Sequence, residues 1–185
     1  MKIGITGSLS SGKSSVAKIL SKNNNMLFSA DKIVKNLYFN NKFKEKIKKK
    51  FKIKKKNIKD EIKSKLLKKE ITLNELGKFI HPFVRKKMKD FSTKNQKKDI
   101  IIFEIPLLIE SNLMRFFDFI ILVAAPRESR LNRYLKSGGT KEMFKLLDEN
   151  QISPRKKIKY CDYLIVNNKS KIILKKKVHD IILNV

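Results

Sequence analysis

The strongest constraint on the fold is a glycine-containing turn near the beginning of the chain. Residues 2–6 form a short apolar run, and residues 14–22 carry apolar side chains at helical spacing. The turn between them fits the pattern of glycine, four residues, glycine, lysine and then serine or threonine. It reads Gly7-Ser8-Leu9-Ser10-Ser11-Gly12-Lys13-Ser14. The order of strand, tight turn and helix predicts an α/β fold.

This turn has the composition of a phosphate-binding loop. Glycines allow successive backbone N–H groups to turn inward around phosphate oxygens, and the N-terminus of the following helix adds a favourable dipole. Lys13 would reach the β- and γ-phosphates of ATP, and the Ser14 hydroxyl would bind Mg²⁺. An ordinary strand-to-helix turn is the alternative interpretation. The predicted ATP-binding residues are Gly7, Ser8, Leu9, Ser10, Ser11, Gly12, Lys13, Ser14 and Ser15.

The rest of the chain continues the alternation of strands and helices. Apolar runs predict further strands at residues 26–30, 99–103, 119–124 and 162–166. Helical spacing predicts helices from Asp31 onward, within 42–69 except for a loop near 52–59, and at 72–80, 127–136 and 169–183. Pro82 is expected to interrupt or begin a helix, because proline lacks the N–H donor. The pattern predicts a parallel sheet with right-handed crossovers.

The composition indicates one globular domain. The chain has 185 residues, of which 41% are hydrophobic, enough for one buried core. We expect no signal peptide, and no segment reaches the roughly 18 apolar residues that a membrane span needs. The single cysteine, Cys161, excludes an internal disulfide framework and is expected to be a buried core residue. A cytoplasmic monomer without membrane contact is therefore expected.

The chain is strongly basic. The sequence has 45 Lys and Arg residues against 17 Asp and Glu residues, a formal net charge of +28. Such a charge ordinarily suggests a polyanionic partner. Here the lysines are spread from Lys2 to Lys177 among abundant Ile and Asn, whereas nucleic-acid surfaces more often cluster Arg and aromatic residues. We expect no specific nucleic-acid partner, only nonspecific binding at low salt.

Five segments, in this order and at these separations, resemble the dephospho-coenzyme A kinase family. The first is the glycine loop. The next three resemble the family's Asp-Ala-Asp, His-Pro-x-Val-Arg and Pro-Leu-Leu-x-Glu elements, and they are Ser29-Ala30-Asp31, His81-Pro82-Phe83-Val84-Arg85 and Ile105-Pro106-Leu107-Leu108-Ile109-Glu110. The fifth runs from Ala125 through Arg133 and Gln151 to residues 161–167, and it resembles the family's lid and last strand.

The resemblance implies a fold and an activity. The activity is ATP-dependent phosphorylation of the ribose 3′-hydroxyl of dephospho-coenzyme A, the last step of coenzyme A synthesis. The fold is a three-layer P-loop kinase fold with a five-stranded parallel sheet, a helical acceptor-binding region and a lid. Within one domain of residues 1–185, the expected core is about 1–30, 96–136 and 160–185, the acceptor-binding region about 31–95 and the lid about 137–159.

The resemblance also implies roles for single residues. Asp31 would orient or deprotonate the acceptor hydroxyl, while Lys13 and Arg133 would act as catalytic cations, a task that suits the permanently charged guanidinium of Arg133. Glu104 stands where the family more commonly has Asp, and is either a group in the second shell of Mg²⁺ or a structural carboxylate. The implied acceptor-binding residues are Asp31, His81, Arg85, Leu107, Leu108 and Glu110.

Simpler interpretations stay open for several of these residues. Asp31 is a suitable helix N-cap, and Leu107 and Leu108 are suitable core residues. His81 would be a residue at a helix boundary and Arg85 a solvated charge. The arginines that recur every three residues would be solvated helix residues, namely Arg127, Arg130 and Arg133.

The chain departs from the family pattern in three of these segments. Ser8 and Ser10 stand where the family usually has glycine, and Ser29 replaces the first Asp of its Asp-Ala-Asp element. Ser137 and Gly138 replace the family's Arg and Asp. The candidates to replace the missing lid arginine are Arg133, Lys136 and Arg155. Two other functions remain as alternatives: another P-loop nucleoside or nucleotide kinase, and a basic nucleic-acid-binding module.

Overall fold

Five parallel strands form one sheet in the computed structural model, which describes residues 1–22 and 25–183. The strands are β1 (Lys2–Gly7), β2 (Met26–Ser29), β3 (Ile101–Glu104), β4 (Phe119–Ala124) and β5 (Tyr163–Val166). Their order across the sheet is β2-β3-β1-β4-β5, and each neighbouring pair is parallel. The expected five-stranded parallel sheet is therefore confirmed, and the carboxyl ends of all five strands lie along one edge.

The helices follow the predicted order, with two further α-helices between residues 137 and 159, where none was predicted. The α-helices among the described residues are α1 (Lys13–Leu20), α2 (Ala30–Leu37), α3 (Asn41–Phe51), α4 (Ile58–Leu67), α5 (Leu73–Lys94), α6 (Arg127–Lys136), α7 (Lys141–Glu149), α8 (Pro154–Lys157) and α9 (Lys171–Ile182). The loop expected near residues 52–59 separates α3 from α4. Residues 184 and 185, the end of the expected core, lie outside the described residues.

Pro82 does not break the helix that contains it. The prediction of an interruption or a helix start was wrong, because α5 continues from Leu73 to Lys94 with Pro82 inside it. A proline in a helix interior removes one hydrogen bond and costs about 3 kcal/mol. Phe79 and Phe83 flank the proline, and their rings contact the Phe43 ring in tilted and edge-to-face geometry at centroid distances of 5.7 and 5.3 Å. We attribute the continuity of the helix to this aromatic packing.

The sheet packs apolar residues on both faces. On β1, Ile3 and Ile5 point to the face that α1 and α9 cover. Gly4 points to the opposite face, where an added Cβ would lie 2.7 Å from Leu108 and 3.0 Å from the Phe117 ring. The absence of a side chain at Gly4 thus lets the segment after β3 pack directly on the central strand. The main core cluster is Ile3, Ile5, Val16, Ala17, Leu20, Ile102, Ile121, Val123, Ile165, Leu174 and Val178.

The chain divides into two compact units. The sheet unit comprises Met1–Ser29 and Ser92–Val185, and the helical unit comprises Ala30–Phe91. In the helical unit, Thr72 and Glu75 form the reciprocal contacts of a capping box: the Thr72 N–H donates to the Glu75 carboxylate at 2.8 Å, and the Glu75 N–H donates to the Thr72 hydroxyl at 3.1 Å. This pair fixes the start of α5.

Cys161 is not the core residue that its neighbours suggested. It lies before β5 and is half-buried, with its thiol donating to the Lys157 carbonyl at 3.3 Å. Burial raises the pKa of the Cys161 thiol to about 11, so the thiol is protonated at neutral pH. Within residues 1–22 and 25–183, no helix combines the length and the apolar character that crossing a membrane requires.

We predict that Ile102→Ala destabilises the protein by about 2–5 kcal/mol, because it opens a cavity in the centre of the sheet. Ile102 has no exposed surface, whereas Ile172 on α9 is 78% exposed. The matched control Ile172→Ala should change the free energy of unfolding by less than about 0.5 kcal/mol. Urea titration followed by circular dichroism measures both values. Equal losses for the two variants would contradict the assigned core.

Candidate phosphate-binding site

The loop from Gly7 to Ser14, here called the phosphate loop, joins β1 to α1 and requires glycine at both ends. Gly7 and Gly12 have φ angles of 150° and 102°, a range that favours glycine. A Cβ at Gly7 would lie 2.1 Å from the Val123 carbonyl oxygen, and one at Gly12 would lie 2.1 Å from the Asn167 amide nitrogen. At Gly7 the backbone therefore approaches β4 more closely than any side chain permits, and at Gly12 a side chain would displace the Asn167 side-chain amide.

Two polar groups are buried inside this loop. The Lys13 side chain bends back so that its ammonium group donates to the Ser8 carbonyl at 2.8 Å. The Ser11 hydroxyl is also buried, and it has no hydrogen-bond partner among the described residues. A buried cation and an unsatisfied hydroxyl beside a helix N-terminus suit an anionic ligand such as a phosphate group. The phosphate loop therefore fits the predicted triphosphate.

Glu104 connects the phosphate loop to the ends of β2 and β3. Its carboxylate is buried and accepts a hydrogen bond from the Ser14 hydroxyl at 2.5 Å and from the Ser29 hydroxyl at 2.9 Å. The register of the sheet causes this contact, because Ser29 and Glu104 are paired at the ends of their strands. A carboxylate behind the Ser14 hydroxyl places negative charge near this oxygen. Such an arrangement suits Mg²⁺, which prefers oxygen ligands.

Arg133 and Asn167 hold the carbonyl groups of the phosphate loop. The Arg133 guanidinium donates to the carbonyls of Ser10 and Ser11 at 3.4 and 3.3 Å, and to the Asn167 carbonyl at 3.0 Å. The Asn167 side chain also donates to the Ser11 carbonyl, at 2.8 Å. Because a trans peptide directs its N–H opposite to its C=O, these contacts turn the Gly12 N–H to the other side.

Arg130 and Gln151 hold the same loop at Leu9. The Leu9 N–H donates to the Gln151 side-chain oxygen at 2.9 Å, and Arg130 donates to the Leu9 carbonyl at 3.4 Å. Arg130 is also paired with Asp148 on α7 at 2.5 Å. The interpretation of Arg130 as a solvated residue was wrong, since only 6% of its side chain is exposed. Arg127 is 60% exposed, as expected.

Sequence reasoning gave no role to Gln151, Asn167 or Arg130. Gln151 and Asn167 lie within the segment that resembles the family's lid and last strand, and this was the available signal. Each is more than 100 positions from the loop residue that it binds. No local pattern encodes such a contact, so the tertiary structure was needed to find it.

The predicted acceptor residues of the sheet unit lie after β3. Leu108 is fully buried, whereas Leu107 is half-buried. The Glu110 carboxylate accepts from the buried Lys157 ammonium at 2.8 Å and from the Ile152 N–H at 3.1 Å. These two contacts involve one oxygen of Glu110. Its other oxygen is buried and has no hydrogen-bond partner among the described residues.

The remaining predicted acceptor residues belong to the helical unit. Asp31 lies in the first turn of α2, and His81 and Arg85 are four residues apart on α5. His81 stands over Gly77, where an added Cβ would lie 3.2 Å from the imidazole. Burial, and secondarily the Arg85 charge, lower the pKa of His81 from its usual value near 6.5. His81 is therefore neutral at neutral pH.

Ser137 and Gly138, which depart from the family pattern, directly follow the last residue of α6. The Ser137 hydroxyl donates to the Tyr134 carbonyl at 2.7 Å, and Gly138 has a positive φ of 87°. Both residues thus terminate the helix. Of the candidate replacements for the missing arginine, Lys136 and Arg155 are exposed, while Arg133 contacts the phosphate loop.

A parallel sheet of order 2-3-1-4-5 with a phosphate loop after its central strand defines a P-loop kinase. Comparison with known proteins agrees and is more specific. Residues 1–172 match the CoaE family model, described as dephospho-CoA kinase, and the chain belongs to that family.

Individual relatives extend over the whole chain. A dephospho-CoA kinase of Fusobacterium nucleatum is 34% identical over 184 residues, covering 96% of this chain and 95% of the relative. The structure of a dephospho-CoA kinase from Campylobacter jejuni is 26% identical, has a TM-score of 0.68 and covers 100% of this chain and 97% of its own. TT1252 from Thermus thermophilus, 24% identical, shares the fold with a TM-score of 0.81 over 100% and 96% of the two chains.

We predict that Gly12→Ala weakens MgATP binding at least tenfold, because the methyl group would displace Asn167 and with it the Ser11 carbonyl. Gly138→Ala is the matched control, since Gly138 also has a positive φ but has open space around its Cα. Isothermal titration calorimetry with MgATP measures the affinity of both variants. If Gly138→Ala weakens binding as much as Gly12→Ala, backbone strain rather than the clash with Asn167 is responsible.

Proposed function

We propose that this chain is a dephospho-CoA kinase that transfers the γ-phosphoryl group of ATP to the ribose 3′-hydroxyl of dephospho-coenzyme A. The products are ADP and coenzyme A. The observation that carries the proposal is the phosphate loop, with its buried Lys13 and the Ser14–Glu104 contact, in a chain that belongs to the dephospho-CoA kinase family.

Lys13 and Arg133 supply positive charge to the phosphoryl group that is transferred. Lys13 is buried within the phosphate loop, and its ammonium donates a hydrogen bond to the Ser8 carbonyl. Arg133 lies along the same loop, with its guanidinium on the carbonyls of Ser10 and Ser11. In a site shielded from water, such charges stabilise the transition state more than they would in water. Arg133 thereby takes the role of the arginine missing at position 137.

Asp31 acts on the acceptor hydroxyl. Its carboxylate accepts the proton of the 3′-hydroxyl while the oxygen forms a bond to the γ-phosphorus of ATP. The bond between the γ-phosphorus and the β–γ bridging oxygen breaks, and ADP leaves with the bonding electrons. Proton acceptance by a positioned carboxylate contributes roughly 10²–10⁴-fold to the rate of such reactions.

Mg²⁺ would be held by the Ser14 hydroxyl together with phosphate oxygens of ATP. When bound, it would neutralise charge on the β- and γ-phosphates. Glu104 orients the Ser14 hydroxyl, because its carboxylate accepts a hydrogen bond from that hydroxyl and leaves the lone pairs of the Ser14 oxygen for the cation. Ser29 holds the other oxygen of Glu104, so the serine that replaces the family's Asp supports this site.

In the helical unit, His81 and Arg85 bind the acceptor. In the sheet unit, Leu107 is a further acceptor contact, whereas the Glu110 carboxylate is engaged by Lys157 and the Ile152 N–H. Because His81 is neutral, Arg85 carries the positive charge of the pair. Arg85 is therefore the residue that binds anionic groups of the acceptor, while His81 offers a hydrogen bond. Leu108 supports the segment after β3 from the core, since its side chain is fully buried.

The proposal keeps the cellular context that the sequence predicts. We expect a cytoplasmic monomer that works on small molecules and binds nucleic acid only nonspecifically. The net charge of +28 makes any nucleic-acid binding strongly dependent on salt. ATP-dependent activity that persists at physiological ionic strength without polynucleotide would support this expectation.

We predict that Asp31→Asn lowers kcat with dephospho-coenzyme A by at least 100-fold, because the amide cannot accept the hydroxyl proton. A coupled assay that detects ADP gives the rates. Asp90→Asn, at an exposed position of the same helical unit, is the matched control and should keep the wild-type kcat. A kcat within threefold of the wild type for Asp31→Asn would exclude Asp31 as the proton acceptor.

We predict that Arg85→Ala raises the KM for dephospho-coenzyme A about tenfold or more and leaves the KM for ATP unchanged, because it removes a cation that binds the acceptor. Lys89→Ala removes another exposed cation from α5 and serves as the control. Steady-state kinetics with each substrate varied in turn separate the two constants. An unchanged KM for the acceptor would exclude this role of Arg85.

A further inference from the structure

We propose that Gln151 positions the phosphate loop for ATP, and that the buried ion pair between Glu110 and Lys157 holds Gln151 in place. This inference rests on the proposed function, because it concerns the ATP side of the same site. It gives Gln151 a role, and it gives Glu110 a role other than acceptor binding.

Gln151 contacts the phosphate loop where the backbone changes direction. Its side-chain oxygen accepts from the Leu9 N–H at 2.9 Å. Leu9 follows Ser8, whose carbonyl holds the Lys13 ammonium, and precedes Ser10, which has an unfavourable φ of 56° for a residue with a side chain. A side chain that fixes Leu9 therefore helps to fix both the lysine contact and the left-handed residue.

The backbone that carries Gln151 is itself held by Glu110. The Ile152 N–H, which belongs to the peptide bond after Gln151, donates to the Glu110 carboxylate at 3.1 Å. On its other side, the Gln151 N–H donates to the Asp148 carbonyl at 3.2 Å. Both peptide groups that flank Gln151 are thus hydrogen-bonded, which limits the positions that its side chain can reach.

Lys157 holds Glu110 in turn. Its ammonium lies 2.8 Å from the Glu110 carboxylate and also donates to the Pro106 carbonyl at 3.3 Å, and the Lys157 side chain has no exposed surface. The Thr6 hydroxyl of β1 donates to the same Pro106 carbonyl at 3.0 Å. An ion pair in such a buried position has little freedom, and removal of one partner leaves the other charge unsatisfied.

The contacts form a chain from Lys157 through Glu110, the Ile152 N–H and the Gln151 side chain to Leu9. Every residue in this chain belongs to the sheet unit, which also contains the phosphate loop. A disturbance anywhere along the chain should therefore affect ATP binding. In this scheme the acceptor is bound by other residues. The KM for ATP therefore tests the role of Glu110 proposed here, and the KM for dephospho-coenzyme A tests a role of Glu110 in acceptor binding.

The first test uses Gln151→Leu, which keeps the size of the side chain and removes the acceptor oxygen. We expect the Kd and the KM for MgATP to rise about tenfold, roughly the effect of one lost hydrogen bond, with the KM for dephospho-coenzyme A unchanged. Hydrogen–deuterium exchange of a peptide that contains Leu9 should become faster. The matched control is Gln96→Leu, at an exposed position of the same unit.

The second test asks whether the ion pair acts through Gln151. Lys157→Met should raise the Kd for MgATP in the same direction as Gln151→Leu, and the variant with both changes should bind no more weakly than Gln151→Leu alone. Because Lys157→Met leaves a buried carboxylate, Glu110→Gln combined with Lys157→Met provides a variant that lacks both charges. Thermal unfolding separates a loss of stability from a loss of affinity.

Several results would overturn the proposal. A wild-type Kd and wild-type amide exchange in Gln151→Leu would remove the role of Gln151. Additive losses of MgATP affinity in the variant with both Gln151→Leu and Lys157→Met would show that the ion pair does not act through Gln151. If the ion-pair variants raise the KM for dephospho-coenzyme A and leave the Kd for MgATP unchanged, Glu110 belongs to the acceptor site. A protein that binds MgATP but does not phosphorylate dephospho-coenzyme A would contradict the proposed function, while the exchange measurement would still decide the role of Gln151.

Discussion

The structure depends on how closely the backbone of the phosphate loop approaches its neighbours. At Gly7 an added Cβ would clash with the Val123 backbone carbonyl, and at Gly12 it would displace the Asn167 side-chain amide. The loop therefore packs against β4 at Gly7 and against Asn167, the residue after β5, at Gly12. Side chains from α6 and from the segment after α7 bind its outward groups. These contacts within the protein limit the conformations of the loop, which reduces the entropy that binding costs.

The carboxyl edge of the sheet gathers groups that are far apart in the sequence. Parallel pairing in register brings Ser29 beside Glu104, and the turn into α1 brings Ser14 to the same carboxylate. The departure from the family pattern at Ser29 is thereby accommodated, because the hydroxyl donates to Glu104 where a second carboxylate would repel it. The acidic group behind the phosphate loop is thus kept, although one Asp is missing.

The high positive charge has little bearing on the site itself. Among the lysines, Lys13 and Lys157 are buried, and each contacts a carbonyl oxygen within the sheet unit. These two residues carry specific roles in the proposals, whereas exposed lysines such as Lys89 are expected to be replaceable. A net charge of +28 therefore says less about function than the position of two ammonium groups.

The sequence by itself determined the parallel α/β fold, the phosphate loop and the family. These features are local: a strand, a turn and a helix are encoded by residues 2–22, and the family motifs are short strings. Only the tertiary structure decided that Arg130 is buried, that Pro82 lies within α5, and that Gln151 contacts Leu9. Such outcomes depend on packing between residues that are distant in the chain. The free energy of these contacts cannot be inferred from a local pattern of side chains.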